Sequence, residues 1–347
     1  MLGTDPARKK LRPLLEKRSQ EVLQRFREAA TSELKNPELI EVIEEVKAYW
    51  KDLQRPALAS FSSEAVGGEP SKADDAILAI TLTAAGMGIH DDIIDKSENK
   101  HFRYTAFGRF GPDKSLLAGD ILIIKGLTTA QKLLEETCPP EKRNAVLEAM
   151  KSFLFEIYQG ELMSLSCNKN LDTDLLQFSR ILWMLTADAE ASARIGAILG
   201  GGSEVEIQTL AEFGRRLGFI LILGEEIRDT MNEEGELQHR LQYESVPLPV
   251  LYAAQSSKET FCQIKSFLEK PLATRGVFEI TELCWKSRAM NYVYGLAKQN
   301  AEEANNRLKS IRNSNAREVL SALIKTALYD VTKARTLERQ YAKYSSS

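Results

Sequence analysis

The sequence predicts an all-α protein built as a large helical bundle, and three observations lead there. Apolar residues recur at three- and four-residue spacing along most of the chain, the period of a helix with one buried face. Only 20 Gly and 11 Pro punctuate 347 residues, so breakers are few and long elements fit between them. No run alternates apolar and polar as a half-buried strand does, and no repeat appears at solenoid periods.

Taken in order, 5–50 reads as two amphipathic helices broken near Lys35-Asn36-Pro37, the second striped by Leu39, Ile43, Val46 and Trp50. Arg55-Pro56 opens a helix that stops at Gly67-Gly68-Glu69-Pro70, a strong breaker. Residues 71–95 form a long helix whose stretch from Ala76 to Ile89 carries no charge, which predicts burial. After a loop through Gly108 and Gly111-Pro112 comes the helix of LLAGDILIIKGL, then helices over 141–165, 174–200 and 205–232. Further helices are expected over 247–254, 277–296, 301–309 and 316–337, with AKYSSS as a frayed tail. The expected organisation is an N-terminal helical extension over 1–48, a bundle over 49–338, and the tail over 339–347.

A net charge of −3 supplies no basic field for nucleic acid. The four cysteines are scattered without CxxC spacing, so they read as reduced thiols of a cytoplasmic protein, neither a disulfide framework nor a zinc site. The first residues are charged and proline-bearing, unlike a signal peptide, and no run reaches the roughly 18 apolar residues of a membrane span.

The chemistry sits in two acidic clusters. Asp91, Asp92 and Asp95 end the uncharged helix, and Asp91 and Asp95 share a face by the i, i+4 rule. Anions on one face repel each other, and a hard divalent cation with a substrate phosphate relieves that repulsion. Clustered acids more often mark a solvated helix end, but a buried helix leading into them argues for metal. Glu225, Glu226 and Asp229 repeat the spacing after another uncharged run, 217–224. Facing helices of a bundle could bring both clusters to one cavity mouth, where several divalent ions and a diphosphate would neutralise six carboxylates.

With DDIID and EEIRD in view, the sequence resembles the trans-isoprenyl diphosphate synthases, the all-α prenyltransferases. Further matches follow in order: Arg55-Pro56, EAVGGEP, SLLAGDILI, GELMSL, LTADAEASARIGAILGG, FGRRLGF, PLPVLYA and AEEANNRL, over roughly residues 50–335. The resemblance implies a bundle of the isoprenoid synthase type around a central apolar cavity. It implies Mg²⁺ held by Asp91, Asp92, Asp95, Glu225, Glu226 and Asp229, gripping an allylic diphosphate that ionises before isopentenyl diphosphate attacks. Arg55, Lys100, His101 and Thr186 fall at substrate-binding positions, although Lys100 could equally be a solvent lysine on a loop. Family members are usually homodimers. A heteromer with another prenyl synthase subunit is an alternative partner arrangement.

The departures cluster on phosphate binding. Where the family has lysine three residues before the arginine, this chain has Asp52, with Lys51 pointing about 100° away. Ala84 replaces a histidine, His101 an arginine, Leu185 and Ser245 lysines, and Ile222 a glutamine. Lys9–Pro13 mimics the missing lysine motif too far from Asp91 to serve. Three readings follow: a divergent prenyltransferase using Arg55, Lys51, His101 and Arg103 in altered roles; a class I terpene cyclase-like enzyme that ionises its substrate without adding to it; or a non-catalytic subunit. Ala85, Gly86 and Met87 occupy the positions of the family's chain-length pocket. Glycine in mid-helix costs about 1 kcal/mol, so it asks for a reason. Room for twenty carbons or more is one reason and close helix packing is the other. His90 reads as packing or support for the metal cluster.

Overall fold

The computed structural model describes residues 6–100, 102–232, 235–269 and 274–344. Among these are sixteen α-helices, one short 3₁₀ turn and a two-stranded hairpin. The chain groups into two compact units, Met1–Phe153 with Asp188–Gly214 and Leu308–Ala322, and Leu154–Ala187 with Arg215–Arg307 and Leu323–Ser347.

The first unit is arranged around α4 (Asp74–Ile94). Its uncharged stretch is buried almost throughout, and Thr81 and Thr83 donate their hydroxyls to the carbonyls of Ile77 and Ala79 one turn back. Before it come α1 (Pro6–Thr31), α2 (Pro37–Tyr49), α3 (Gln54–Ala65) and the 3₁₀ turn Pro70–Ala73. Asn36 caps α2 by accepting from the Leu39 N–H at 3.1 Å, which explains the break at Asn36-Pro37. The helix α1 lies against α3 and α4, with Arg18 on Glu64 and Arg25 on Asp75 at 2.7 Å.

The main partner of α4 is α6 (Pro112–Thr137), reached through the short α5 (Ala106–Phe110). Glycines permit the approach: a Cβ on Gly126 would lie 2.1 Å from Thr83 Oγ1, and one on Gly86 would lie 2.5 Å from the Gly119 carbonyl. Close packing is therefore sufficient reason for Gly86. By length and composition the segment Pro70–Ile94 could cross a membrane, contrary to the expectation that no run would; most of it is buried against protein, as a core helix is. A second correction concerns strands. Asn99–Lys100 (β1) and Arg103–Tyr104 (β2) form a two-residue antiparallel ladder pairing Lys100 with Arg103. It was unreadable because a two-residue strand has no period.

The helix α7 (Pro140–Leu165) begins in this unit and ends in the second; α9 (Ala187–Gly200) belongs to the first except for its opening residue, and α10 (Glu204–Thr230) passes from the first to the second. In the second unit, α8 (Leu175–Met184), α11 (Glu236–Tyr243), α12 (Leu248–Ser256), α13 (Lys258–Leu268), α14 (Thr274–Lys286) and α15 (Ala289–Leu308) pack with the later part of α16 (Asn315–Tyr344). The expected helix over 174–200 is two, because the Thr186 hydroxyl donates to the Trp183 carbonyl at 2.8 Å and closes α8. Between α14 and α15, Arg288 turns the chain at φ +63° and splits the expected 277–296 helix; α15 then absorbs the separate 301–309 helix. The helix α16 also continues to Tyr344, through residues expected to fray.

Glu338 of α16 closes that break. Its carboxylate accepts from the Met290 N–H at 3.0 Å, inside the first turn of α15, and is 3% exposed. Burial outweighs the backbone donors and pushes its pKa up to about 7. A raised carboxylate pKa means that the folded state prefers the protonated form. Glu338 thus costs stability as pH rises from about 4.5 to 7, on the order of 3 kcal/mol when fully ionised. Glu338→Gln keeps the acceptor and removes the charge. The expected result is a variant more stable than the parent above pH 7, the difference vanishing near pH 4.5, read from urea midpoints across that range.

Candidate active site

The first cluster ends α4. Asp92 is 7% exposed, while Asp91 and Asp95 are less covered. The hairpin folds Lys100 back onto them: its Nζ stands 3.0 Å from Asp91 Oδ2 and 2.9 Å from Asp92 Oδ1. Burial raises Asp92's carboxyl, with Lys100 pulling the other way. Burial would also depress Lys100, but Asp91 and Asp92 outweigh it and hold its ammonium well above the usual lysine range. Lys100 is thus a partner of the acids, not a free loop lysine. The loop is latched by Thr105, whose hydroxyl donates to the Ser97 carbonyl at 2.6 Å and accepts from the Gly108 N–H. Arg103 stacks on Tyr49 at 3.5 Å from the ring centroid. His101 lies outside the described residues.

His90 packs on α6, its Nε2 3.2 Å from Asp120 and 3.4 Å from the Leu116 carbonyl, and a Cβ on Gly119 would strike its ring. Ala84 and Ala85 are buried, and Met87 is half-buried.

Arg55 opens α3 and is claimed on both sides. Its guanidinium reaches Asp52 Oδ2 at 2.9 Å and Asp188 Oδ2 at 2.5–2.6 Å. Burial opposes its charge, and Asp188 and Asp52 more than restore it, raising the pKa. Asp52 also accepts from the backbone N–H groups of Gln54 and Arg55 at 3.1 and 3.2 Å, so the aspartate two residues before α3 satisfies donors of its first turn. Lys51 is exposed beside it.

Thr186 spends its hydroxyl on the Trp183 carbonyl, 3.5 Å from that of Arg215. Arg215 forms a two-pronged pair with Glu156 at 2.8 and 2.7 Å and also donates to the Trp183 carbonyl at 2.9 Å.

In the second cluster, Glu225 is exposed, 3.5 Å from Arg228, which in turn holds Asp330 at 2.7 Å. Glu226 is 2% exposed. Arg240, from α11, is the residue that the motif analysis missed. Its NH1 lies 2.7 Å from Glu226 Oε1 and 2.8 Å from Asp229 Oδ2, and its Nε is 3.2 Å from Glu244. Burial opposes this charge, and Glu226, Asp229 and Glu244 hold it in place, well above the usual arginine value. Glu226 Oε2 accepts from the Leu248 N–H at 2.6 Å. Ser245, where a lysine was expected, is buried within reach of Ser164 Oγ at 3.3 Å. No local pattern flags Arg240, since the pairing joins α10 to α11, 11 and 14 residues apart in sequence.

Among the described residues, no three His, Cys, Asp or Glu side chains are arranged to close on a metal ion. The oxygen-only donors of the first cluster suit Mg²⁺. The Lys100 ammonium bridging Asp91 and Asp92 shows that this pair already collects a cation. The second cluster fits a metal less well, because Glu226 has both oxygens engaged.

The polyprenyl synthetase family model matches residues 36–281. A short chain isoprenyl diphosphate synthase of Methanothermobacter thermautotrophicus is 28% identical over 78% of this chain and 83% of its own. An octaprenyl diphosphate synthase of Haemophilus influenzae is 22% identical over 78% and 81%. Geranylgeranyl pyrophosphate synthetase of Pyrococcus horikoshii superposes with a TM-score of 0.81 at 25% identity, covering 92% of this chain and 98% of that one. The ordered motifs, the all-α fold and these likenesses agree: the chain belongs to the polyprenyl synthetase family, the generally metal-dependent prenyltransferases that make isoprenyl diphosphates.

Proposed function

We propose that this chain is a Mg²⁺-dependent prenyltransferase that condenses an allylic diphosphate with isopentenyl diphosphate. The observation that carries this is the Asp91–Asp92 pair, delivered by a buried apolar helix and bridged by one cation. Mg²⁺ held by Asp91, Asp92 and Asp95 would supply Lewis-acid stabilisation of the charge on the departing diphosphate. Lys100, on its hairpin, adds a positive charge beside that diphosphate and ties the loop to the acids. The apolar length of α4 before Asp91 excludes water, which would otherwise quench an allylic cation. The product is proposed to have twenty carbons or more. That length rests on the small side chains of Ala84 and Ala85, because helix packing already explains Gly86. The assembly is proposed to be a homodimer.

A second reading has one observation in its favour. With Arg55 held by Asp52 and Asp188, the position that would grip isopentenyl diphosphate is internally neutralised. That favours ionisation without condensation, as in a terpene cyclase, or a non-catalytic subunit of a heteromer. One assay separates the readings: purified protein, Mg²⁺ and labelled allylic diphosphates of several lengths, with and without isopentenyl diphosphate. A lengthened product supports condensation. Diphosphate release with a hydrocarbon or alcohol, independent of the second substrate, supports the cyclase. Turnover only after a second subunit is added supports the heteromer.

A further inference from the structure

We propose that Arg240 is a built-in cation of the second acidic cluster, so that Glu226 and Asp229 take no divalent ion. The proposal builds on the reading that Asp91 and Asp92 hold Mg²⁺ and removes Glu226 and Asp229 from the metal set expected from six carboxylates.

The two clusters look alike in sequence and differ in how their charge is met. Lys100 reaches Asp91 and Asp92 on a flexible four-carbon stem, from a two-residue strand beside Phe102, which is 88% exposed. An ammonium there can swing aside when a dication arrives. Arg240 comes from a helix, is 9% exposed, and spreads its planar fork over Glu226, Asp229 and Glu244 while its NH2 lies 3.4 Å from the Ser245 carbonyl.

A metal ion entering between Glu226 and Asp229 would have to break this buried pairing and leave the guanidinium with Glu244 alone, beside a dication. Arginine does not lose its proton at any ordinary pH, so the cluster has no neutral-partner state to offer. Glu226 is further committed, since its other oxygen holds the Leu248 N–H that starts α12. Removing one partner of a buried pair is strongly unfavourable, and the entering metal would do that to Arg240.

The test is a Mn²⁺ titration followed by electron paramagnetic resonance, with and without inorganic diphosphate, on the full-length parent, Asp229→Asn, D91N/D92N and Arg240→Ala. The expected result is the parental Mn²⁺ count in Asp229→Asn and loss of bound Mn²⁺ in D91N/D92N. Arg240→Ala should gain a further Mn²⁺ per chain, and millimolar Mn²⁺ should raise its lowered Tm by about 3 °C. Loss of Mn²⁺ from Asp229→Asn, in either condition, overturns the proposal. That comparison keeps Arg240 in place and so does not depend on whether Arg240→Ala folds. If the parent binds no Mn²⁺ while Arg240→Ala does, the reading of the first cluster fails and the role of Arg240 stands.

Discussion

Replacing Asp92 by asparagine is expected to lower kcat/KM for condensation by about 10³-fold or more, with the fold intact. The side chain is isosteric and stays within reach of Lys100, so packing around the end of α4 is retained. What is lost is half of the paired negative charge that attracts a divalent ion. A metal's stabilisation of a leaving diphosphate is worth several kcal/mol, and each 1.36 kcal/mol is tenfold in rate. The effect should fall on kcat as well as KM, because the charge stabilised develops in the transition state. Unchanged melting with lost turnover is the expected pair of measurements; near-parental turnover would remove the first cluster from the chemistry.

The largest effect on stability is expected at Arg215. Arg215→Ala should cost about 3–5 kcal/mol, read as a lower urea midpoint, because it strips Glu156 of a two-pronged partner and takes one donor from the Trp183 carbonyl, which keeps the Thr186 hydroxyl. The loss comes mostly from what is left unpaired. The double variant R215M/E156L removes both charges and should recover much of the stability. A double variant as weak as Arg215→Ala would mean that cavity formation dominates instead. The same guanidinium lies 6.0 Å from the ring centroid of Trp183, which also meets Phe219 edge-on at 5.3 Å, so the junction after α8 should loosen first.

Several features were legible because they are local. The charge-free run before Asp91 marks a helix shielded from water, and Asn36-Pro37 and Gly67-Gly68 are breakers whatever the surroundings. The acidic triplets were visible by their spacing. Less legible were ends set by single bonds: the Thr186 hydroxyl on a carbonyl, the turn at Arg288 and the Glu338 cap. None of these alters the apolar period, so a pattern of periods runs straight through them.

From its sequence alone this protein is an all-α prenyl synthase relative with an intact first aspartate cluster and an eroded set of phosphate-binding residues. Period and spacing encode the helices and the acidic clusters over a few turns, and the kinship and the departures at phosphate-binding positions follow from the resemblance in ordered motifs, so no tertiary information is needed. Which charge answers which was decided only in the folded chain. Asp52 turns onto Arg55 with Asp188, 133 residues further on, completing the clamp; Lys100 returns over the aspartates; and Arg240 fills the second cluster. A buried charge must take its counter-charge from whatever packing brings within about 3 Å, whether the preceding loop, the following hairpin, the next helix or, for Asp188, a helix remote in sequence.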